Sequence, residues 1–408
     1  MGAIPPGYDS DGAMLRIGGR RADDLVAEAG GTPLFAYDLA MIGRRIGRFR
    51  AAFPNVDLHY AIKANSYAPL LSYVASKVDG LDVASGGELD MAIAAGMAAE
   101  NISFAGPGKR DTELEAAVGA GATINLESEG EAERALAAGE RLGVTPRLAV
   151  RVNPDFEIKG SGMRMGGGAK PFGVDAARVP ALVRHIRESG ADWRGFHIFA
   201  GSQALSADAL IEAQAATVEL AAALADAAGA SPPLVNLGGG FGIPYFATEE
   251  PLEVEQVGEA LDSALGRRSD VLRESRFAIE LGRWLVGEAG VYLTRIVDRK
   301  ASHGKTFLVV DGGMHHQLAA SGNFGQIVRR NYPAAIASRF GGPPEEEVSI
   351  VGCLCTPLDR LADDVMTPRA DVGDLIAVFM AGAYGRSASP QDFLGHPPAR
   401  EIIVSGGN

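Results

Sequence analysis

The stretch LHYAIKAN, Leu58 to Asn65, places one lysine, Lys63, near the carboxyl end of a short apolar run that reads as a strand buried on both faces. Desolvation lowers a lysine's pKa, and a neutral amine is a nucleophile that condenses with carbonyls. The same residues also fit a lysine whose stem carries its amine out to water at a strand end. Two further clusters bear on that choice. GGGFG, Gly238 to Gly242, follows the apolar run LVNL. The N–H groups of consecutive glycines can close around a phosphate, although triplets such as this one and Gly166 to Gly168 also make plain turns. ELGR, Glu280 to Arg283, ends another apolar run. Arg283 can pair with phosphate oxygens, and Glu280 can either keep a ring nitrogen protonated or form an ordinary ion pair with a neighbouring arginine.

The elements that must position these residues show as a rhythm. Eight apolar runs, LHYAIKA, GLDVAS, ISFAGP, TINLES, RLAVRVNP, RGFHIFAG, LVNLGGG and RFAIELGR, lie between Leu58 and Arg283, with helical segments such as GELDMAIAAG and DTELEAAVGAG between them. Strand and helix alternating eight times predict an α/β fold, a parallel (β/α)8 TIM barrel; an open doubly wound sheet would use fewer strands. Strand carboxyl ends of such a barrel converge on one site. They would bring together Lys63; Asp82, Ser85 and Glu88; Arg151 and Asn153; His197, Phe199 and Ser202; Gly239 and Gly240; and Glu280, Gly282 and Arg283. The glycine-rich loop from Lys159 to Gly173 fits a lid or a plain solvated loop. Beyond Arg283 strand-like runs follow one another without helices, which predicts a second, mostly antiparallel β domain. An early strand at Met14 would join it, so that both chain ends build it. The expected boundaries are 30–283 for the barrel, with 1–29 and 284–408 in the β domain.

Bulk properties exclude several function classes. At 408 residues the chain is long enough for one large domain and a smaller one. A net charge of -13 opposes binding to nucleic acid or an anionic membrane. No apolar run reaches membrane-spanning length and the N-terminus lacks a signal-like core, so a cytoplasmic location is expected. The two cysteines, Cys353 and Cys355, are too close in sequence for an ordinary disulfide. With only His315 and His316 as nearby candidate ligands, free thiols and no metal are expected.

Together the motifs resemble the fold-type III pyridoxal-phosphate decarboxylases, the family of ornithine, arginine and diaminopimelate decarboxylases, whose barrel is shared with alanine racemase. YAIKAN is similar to the family's lysine motif, DVASGGEL to its second-strand motif and GGGFG to its phosphate loop; ELGR stands for its EPGR, with Leu281 in place of proline. CTPLD, Cys355 to Asp359, resembles the CxxxD motif, and GAYG, Gly382 to Gly385, the tyrosine motif. The resemblance spans nearly the whole chain. It implies that Lys63 holds pyridoxal 5'-phosphate as a Schiff base, that Glu280 meets the pyridine nitrogen, that Ser202, Gly239, Gly240, Arg283 and Tyr384 surround the cofactor phosphate, and that Gly282 also binds the cofactor. It implies further that Asp82, Glu88 and Arg151 form a polar network behind the ring. Cys355 would reach in from the partner of a homodimer to protonate the intermediate after carbon dioxide leaves.

Departures from the family pattern bear on the substrate. Where many relatives stack a histidine on the ring, this sequence has Phe199, with His197 two residues earlier on the same strand face. The glutamate that diaminopimelate enzymes carry after the cysteine is Thr356, and their distal arginine and tyrosine correspond to Ala319 and Asn323. Asp359, Thr356, Asn323 and His316 are the positions expected to meet the substrate. HIFAGSQ, GSGMRMGGG and HHQLAASGNFGQ look most like the exosortase-associated decarboxylases and the decarboxylase of a carrier-protein-linked glutamyl group. A tethered substrate has no free charge at its far end, in keeping with these uncharged positions. The alternatives are a diaminopimelate- or ornithine-type decarboxylase of a free amino acid, an amino-acid racemase, a non-catalytic pyridoxal-phosphate-binding protein and an unrelated phosphate-binding barrel. The carboxylate Glu280 argues against a racemase, which sets an arginine at the ring nitrogen.

Overall fold

A computed structural model describes residues 2–156, 158, 163–164 (backbone only), 167–324, 326 and 329–405. Two compact units emerge: one comprises Ile46–Ile243 and Pro251–Gly282, the other the chain up to Arg45, Pro244–Glu250 and the chain from Arg283 onward.

The first unit is a closed barrel. Its strands are β1 (Asp57–Ala61), β2 (Gly80–Val83), β3 (Ile102–Phe104), β4 (Thr123–Leu126), β5 (Arg147–Asn153), β6 (Asp192–Ile198), β7 (Leu234–Asn236) and β8 (Arg276–Leu281). Each pairs in parallel with the next, and β8 pairs with β1, Glu280 beside His59, to close the ring. All eight coincide with the predicted apolar runs, because a strand with neighbours on both sides and helices outside must be apolar on nearly every residue. The Lys159 to Gly173 loop follows β5, and its residues 159–162 and 165–166 lie outside those described.

Short loops lead β2 and β4 into helices with side-chain caps. Ser85, two residues beyond β2, accepts a hydrogen bond from Glu88 N at 3.1 Å and starts helix Gly86–Ala94. Ser128 does the same after β4, accepting from Glu131 N at 3.1 Å to start helix Glu129–Leu142. At these two strands only a few residues separate the strand end from the helix.

The second unit is built on an eight-stranded sheet. Strand Gly290–Ser302 pairs antiparallel with Leu34–Asp38, Lys305–Val310 and Leu375–Val378; Glu346–Val351 joins parallel to Lys305–Val310 and carries Arg360–Thr367 antiparallel. Leu34–Asp38, inside the 30–283 span expected of the barrel, also pairs in parallel with the C-terminal strand Arg400–Val404, so it belongs to this sheet. The strand at Met14 lies in this unit, as expected, though outside its large sheet. Met14–Ile17 pairs instead with Asp9–Asp11 and Arg20–Arg21 in a separate three-stranded meander of the same unit. Its tight turns tie it to its sequence neighbours before it can reach the larger sheet. No helix among the described residues is long and apolar enough to cross a membrane.

Candidate active site

Strand β1 stops at Ala61 and the chain tightens into a 3-10 turn, Ile62–Ala64. Ile62 and Ala64 are buried while Lys63 is exposed, so the lysine stands at the barrel mouth and is not the desolvated amine its apolar neighbours suggest. The turn, where the chain leaves the pleat, is the reason. The amine lies 5.8 Å from the centroid of the Phe199 ring. Tyr60 Oη donates to Asn65 O at 2.8 Å, and Asn65 Oδ1 accepts from Tyr67 N at 3.0 Å, fixing the chain on both sides of the turn. A Cβ on Gly282 would come within 2.8 Å of Ala64 Cβ, so this glycine lets the end of β8 pack against the lysine turn.

Glu280 is buried near the end of β8, and its partner is not an arginine. Its Oε2 lies 2.9 Å from His197 Nε2 and accepts from Asn236 Nδ2 at 3.3 Å. Burial opposes the charge, but the His197 imidazole, with Lys63 and Arg151 farther off, holds the carboxyl below the usual carboxylate range. His197 is buried, with Nε2 on Glu280 and Nδ1 without a partner among the described residues, whereas Phe199 is half-buried and in reach of Lys63. Asn236 also accepts from Gly238 N at 2.8 Å, which couples the acid to the glycine loop.

In that loop Gly238 and Gly240 have φ of 69° and 83°, a region that favours glycine. A Cβ on Gly239 would overlap the Glu280 carbonyl oxygen, and one on Gly240 the Gly201 carbonyl oxygen. Among the described residues no acceptor meets the N–H groups of Gly239 and Gly240. Ser202 is half-buried in the two-residue strand that follows β6.

Asp82, Glu88 and Arg151, expected to form one polar network, each meet a different partner. Asp82 Oδ1 faces His59 Nδ1 at 3.4 Å, and its other oxygen has no partner among the described residues. Arg151 donates to Glu127 Oε1 at 2.7 Å; the Glu127 oxygens also accept from Gly106 N at 2.6 Å and Gly173 N at 2.7 Å. Glu88 accepts from Ala84 N at 2.7 Å, closing its own helix cap, and feels the Lys63 charge. Asn153 donates to Gly168 O at 3.0 Å. His59, Glu127 and Asn236 were not singled out from the sequence. The available signal was a polar residue inside an apolar run, in LHYAIKA and LVNLGGG.

The remaining candidates lie in the sheet unit. There the Arg283 guanidinium lies 4.9 Å from the centroid of the Tyr384 ring and donates to Tyr245 Oη at 3.3 Å. Tyr384 has φ of 53°, a left-handed conformation that costs about 1 kcal/mol or more in a non-glycine residue. Cys355 is exposed. Asp359 is buried and accepts from Met314 N at 2.6 Å and Leu354 N at 2.8 Å, so it clamps two loops. Thr356 is half-buried. Asn323 is exposed and donates to Ser321 Oγ at 2.8 Å. His316 is buried, with Tyr292 Oη at 3.1 Å from one nitrogen and Pro397 O at 2.9 Å from the other, which leaves its ring no free polar atom for a substrate. Burial and the Asp359 charge push the half-buried Cys353 thiol up to about 11.

The barrel residues fit pyridoxal phosphate. The two free glycine amides form a cradle for an anion, the Lys63 amine is open at the mouth, and Glu280 presents a buried anion for a cationic heteroatom. Comparison with known proteins agrees. Residues 39–287 match the family described as pyridoxal-dependent decarboxylase, pyridoxal binding domain. The chain is 38% identical to the L-glutamyl-[BtrI acyl-carrier protein] decarboxylase of Niallia circulans, over 92% of this chain and 90% of that protein. It is 32% identical to the diaminopimelate decarboxylase of Archaeoglobus fulgidus, over 97% of this chain and 93% of that one. The crystal structure of diaminopimelate decarboxylase from M. jannaschii in complex with L-lysine superposes with a TM-score of 0.88 at 25% identity, covering 98% of this chain and 93% of that one. With the family match covering more than half of the chain and these relatives aligned over nearly all of it, the chain belongs to the fold-type III pyridoxal-phosphate-dependent decarboxylases.

Proposed function

We propose that this decarboxylase acts on an L-amino acid whose side-chain end carries no free charge, as in an aminoacyl, glutamyl-like group tethered to a carrier protein. The observation that carries the reading is the uncharged set Thr356, Ala319 and Asn323, where a free dibasic or diacidic substrate would meet charged side chains. The relative that acts on a carrier-bound glutamyl group supports it. A free amino acid of the diaminopimelate type is the second reading, supported by relatives of that name.

When bound, pyridoxal phosphate supplies an electron sink for the pair of electrons left on Cα as carbon dioxide departs. Lys63 provides the amine that anchors the cofactor. Gly239 and Gly240 would offer N–H groups, and Ser202 its hydroxyl, to its phosphate. Glu280, kept anionic by His197, retains the proton at the pyridine nitrogen, and Phe199 covers the ring. Asp82 and Arg151 hold the surrounding polar shell. Cys355, exposed on its loop, delivers a proton to Cα of the neighbouring subunit's substrate, which makes a cytoplasmic homodimer the working unit. Asp359 shapes that loop and Thr356 lines it.

The test is carbon dioxide release from a panel of free amino acids set against aminoacyl carrier proteins. Turnover of the carrier-bound form above every free amino acid supports the reading, and efficient turnover of free diaminopimelate sinks it.

A further inference from the structure

In the sheet unit three potential metal ligands from distant parts of the sequence converge. One donor atom each from His315, Cys353 and His396 all lie within 4.8 Å of one another. Cys353 Sγ is 3.9 Å from both ring nitrogens of His396. The His315 and His396 ring centroids are 5.2 Å apart. A tetrahedral ion with bonds of about 2.0–2.3 Å sets its donors roughly 3.3–3.5 Å apart, and small rotations of the two imidazoles supply the difference.

An independent observation points to a missing partner. His315 is wholly buried, yet neither of its ring nitrogens has a hydrogen-bond partner among the described residues. A buried imidazole without partners is costly, and such groups call for an explanation.

The site is also braced from outside, as ligands of a preorganised metal centre are. Asp359 accepts from the amides of Met314 and Leu354, the neighbours of His315 and Cys353. His316 bonds the carbonyl of Pro397, the neighbour of His396. Gln391 donates to His315 O at 3.1 Å and accepts from Ala399 N at 3.2 Å, tying the same two segments again.

We propose that His315, Cys353 and His396 bind one thiophilic divalent transition metal ion, with zinc the best match to two imidazoles and a thiolate, and that this ion fixes the loop carrying Cys355. Binding forms two metal–nitrogen bonds and one metal–sulfur bond and releases the Cys353 proton to solvent; no electron is transferred. A fourth position stays open to water.

The test uses the full-length holoenzyme stripped with a chelator and then titrated with Zn(II) or Co(II). One equivalent per chain is expected, with Co(II) giving tetrahedral d–d bands at the red end of the spectrum, clear of the cofactor. Cys353→Ser and His315→Gln should weaken uptake on the order of 100-fold or more, whereas Cys355→Ala should keep it. Should those variants misfold, alkylation of the wild-type protein decides: Zn(II) should shield Cys353, mapped by peptide mass, and leave Cys355 reactive. Substoichiometric uptake by the wild-type chain, octahedral Co(II) spectra, or equal alkylation of Cys353 with and without Zn(II) would overturn the proposal.

Discussion

His197 Nε2 lies 2.9 Å from Glu280 Oε2, a buried pair that joins strands β6 and β8 across intervening β7. Its effect is to keep an acid ionised where burial alone would neutralise it. The folded-state pKa of Glu280 is depressed, so its charge persists above that low value and is lost only as pH falls through it. His197→Ala removes the first stabilising neighbour, and the pKa must rise. The acid limb of kcat/KM against pH is expected to move to higher pH, with kcat near neutrality reduced roughly 10- to 100-fold, the size of one charge-assisted hydrogen bond. An acid limb that stays in place would contradict the role given to the pair.

Lys63→Ala should abolish both turnover and the visible absorbance of the lysine-linked cofactor, a loss of about a thousandfold or more in rate. Absorbance spectra and carbon dioxide release check the two together. Full activity with the band intact would remove Lys63 from the site.

Gly239→Ala tests the glycine cradle. The new methyl would meet the Glu280 carbonyl oxygen, backbone that cannot rotate away. Overpacking of this kind costs about 1–3 kcal/mol, or several degrees in Tm for a unit of this size. Cofactor retention measured by gel filtration should fall in parallel. An unshifted Tm with normal retention would mean that the loop relaxes freely.

Cys355→Ala should lower turnover by about 10²- to 10³-fold, as for loss of a general acid, while leaving cofactor absorbance unchanged. Mixing this variant with Lys63→Ala under subunit exchange should restore part of the activity, because one of the two composite sites in a mixed dimer is then intact. Failure to recover any activity in verified mixed dimers would place Cys355 in its own subunit's site.

Glu127→Gln removes the partner of buried Arg151. Breaking such a pair costs roughly 3–5 kcal/mol. Burial opposes the Glu127 charge, but Arg151 and the amide of Gly173 hold its pKa below the ordinary carboxylate value. Its contribution is therefore present above the unfolded-state pKa and lost as pH falls through the folded one. Urea unfolding should show the variant less stable at pH 7, with the difference shrinking under acid. A difference that grows on acidification would reverse the assigned sign.

The barrel was legible because each strand is enclosed on both sides and reads as a continuous apolar run. Strand Arg360–Thr367 was not, since it pairs on one side only and alternates buried and exposed residues, with two aspartates among them. In the site, Lys63, Glu280 and the glycine loop stand out by type and position. The His197 contact was hidden because the two residues are 83 apart and become neighbours only when the ring closes. The sequence left a buried and a solvent-reaching Lys63 both open, because apolar neighbours do not reveal that the chain leaves the pleat one residue earlier. His396 was invisible for the opposite reason: it sits in a polar loop and matters only through what the fold sets beside it.

The pairing of Leu34–Asp38 with Arg400–Val404 has a consequence for synthesis on the ribosome. Every strand of the barrel has emerged by Leu281, so that ring can close while translation continues. The sheet cannot: one of its earliest strands keeps an open edge until residue 404 is released from the exit tunnel. Premature termination anywhere in the last stretch therefore yields a chain with a finished barrel and an exposed, adhesive strand, the kind of product that quality control removes.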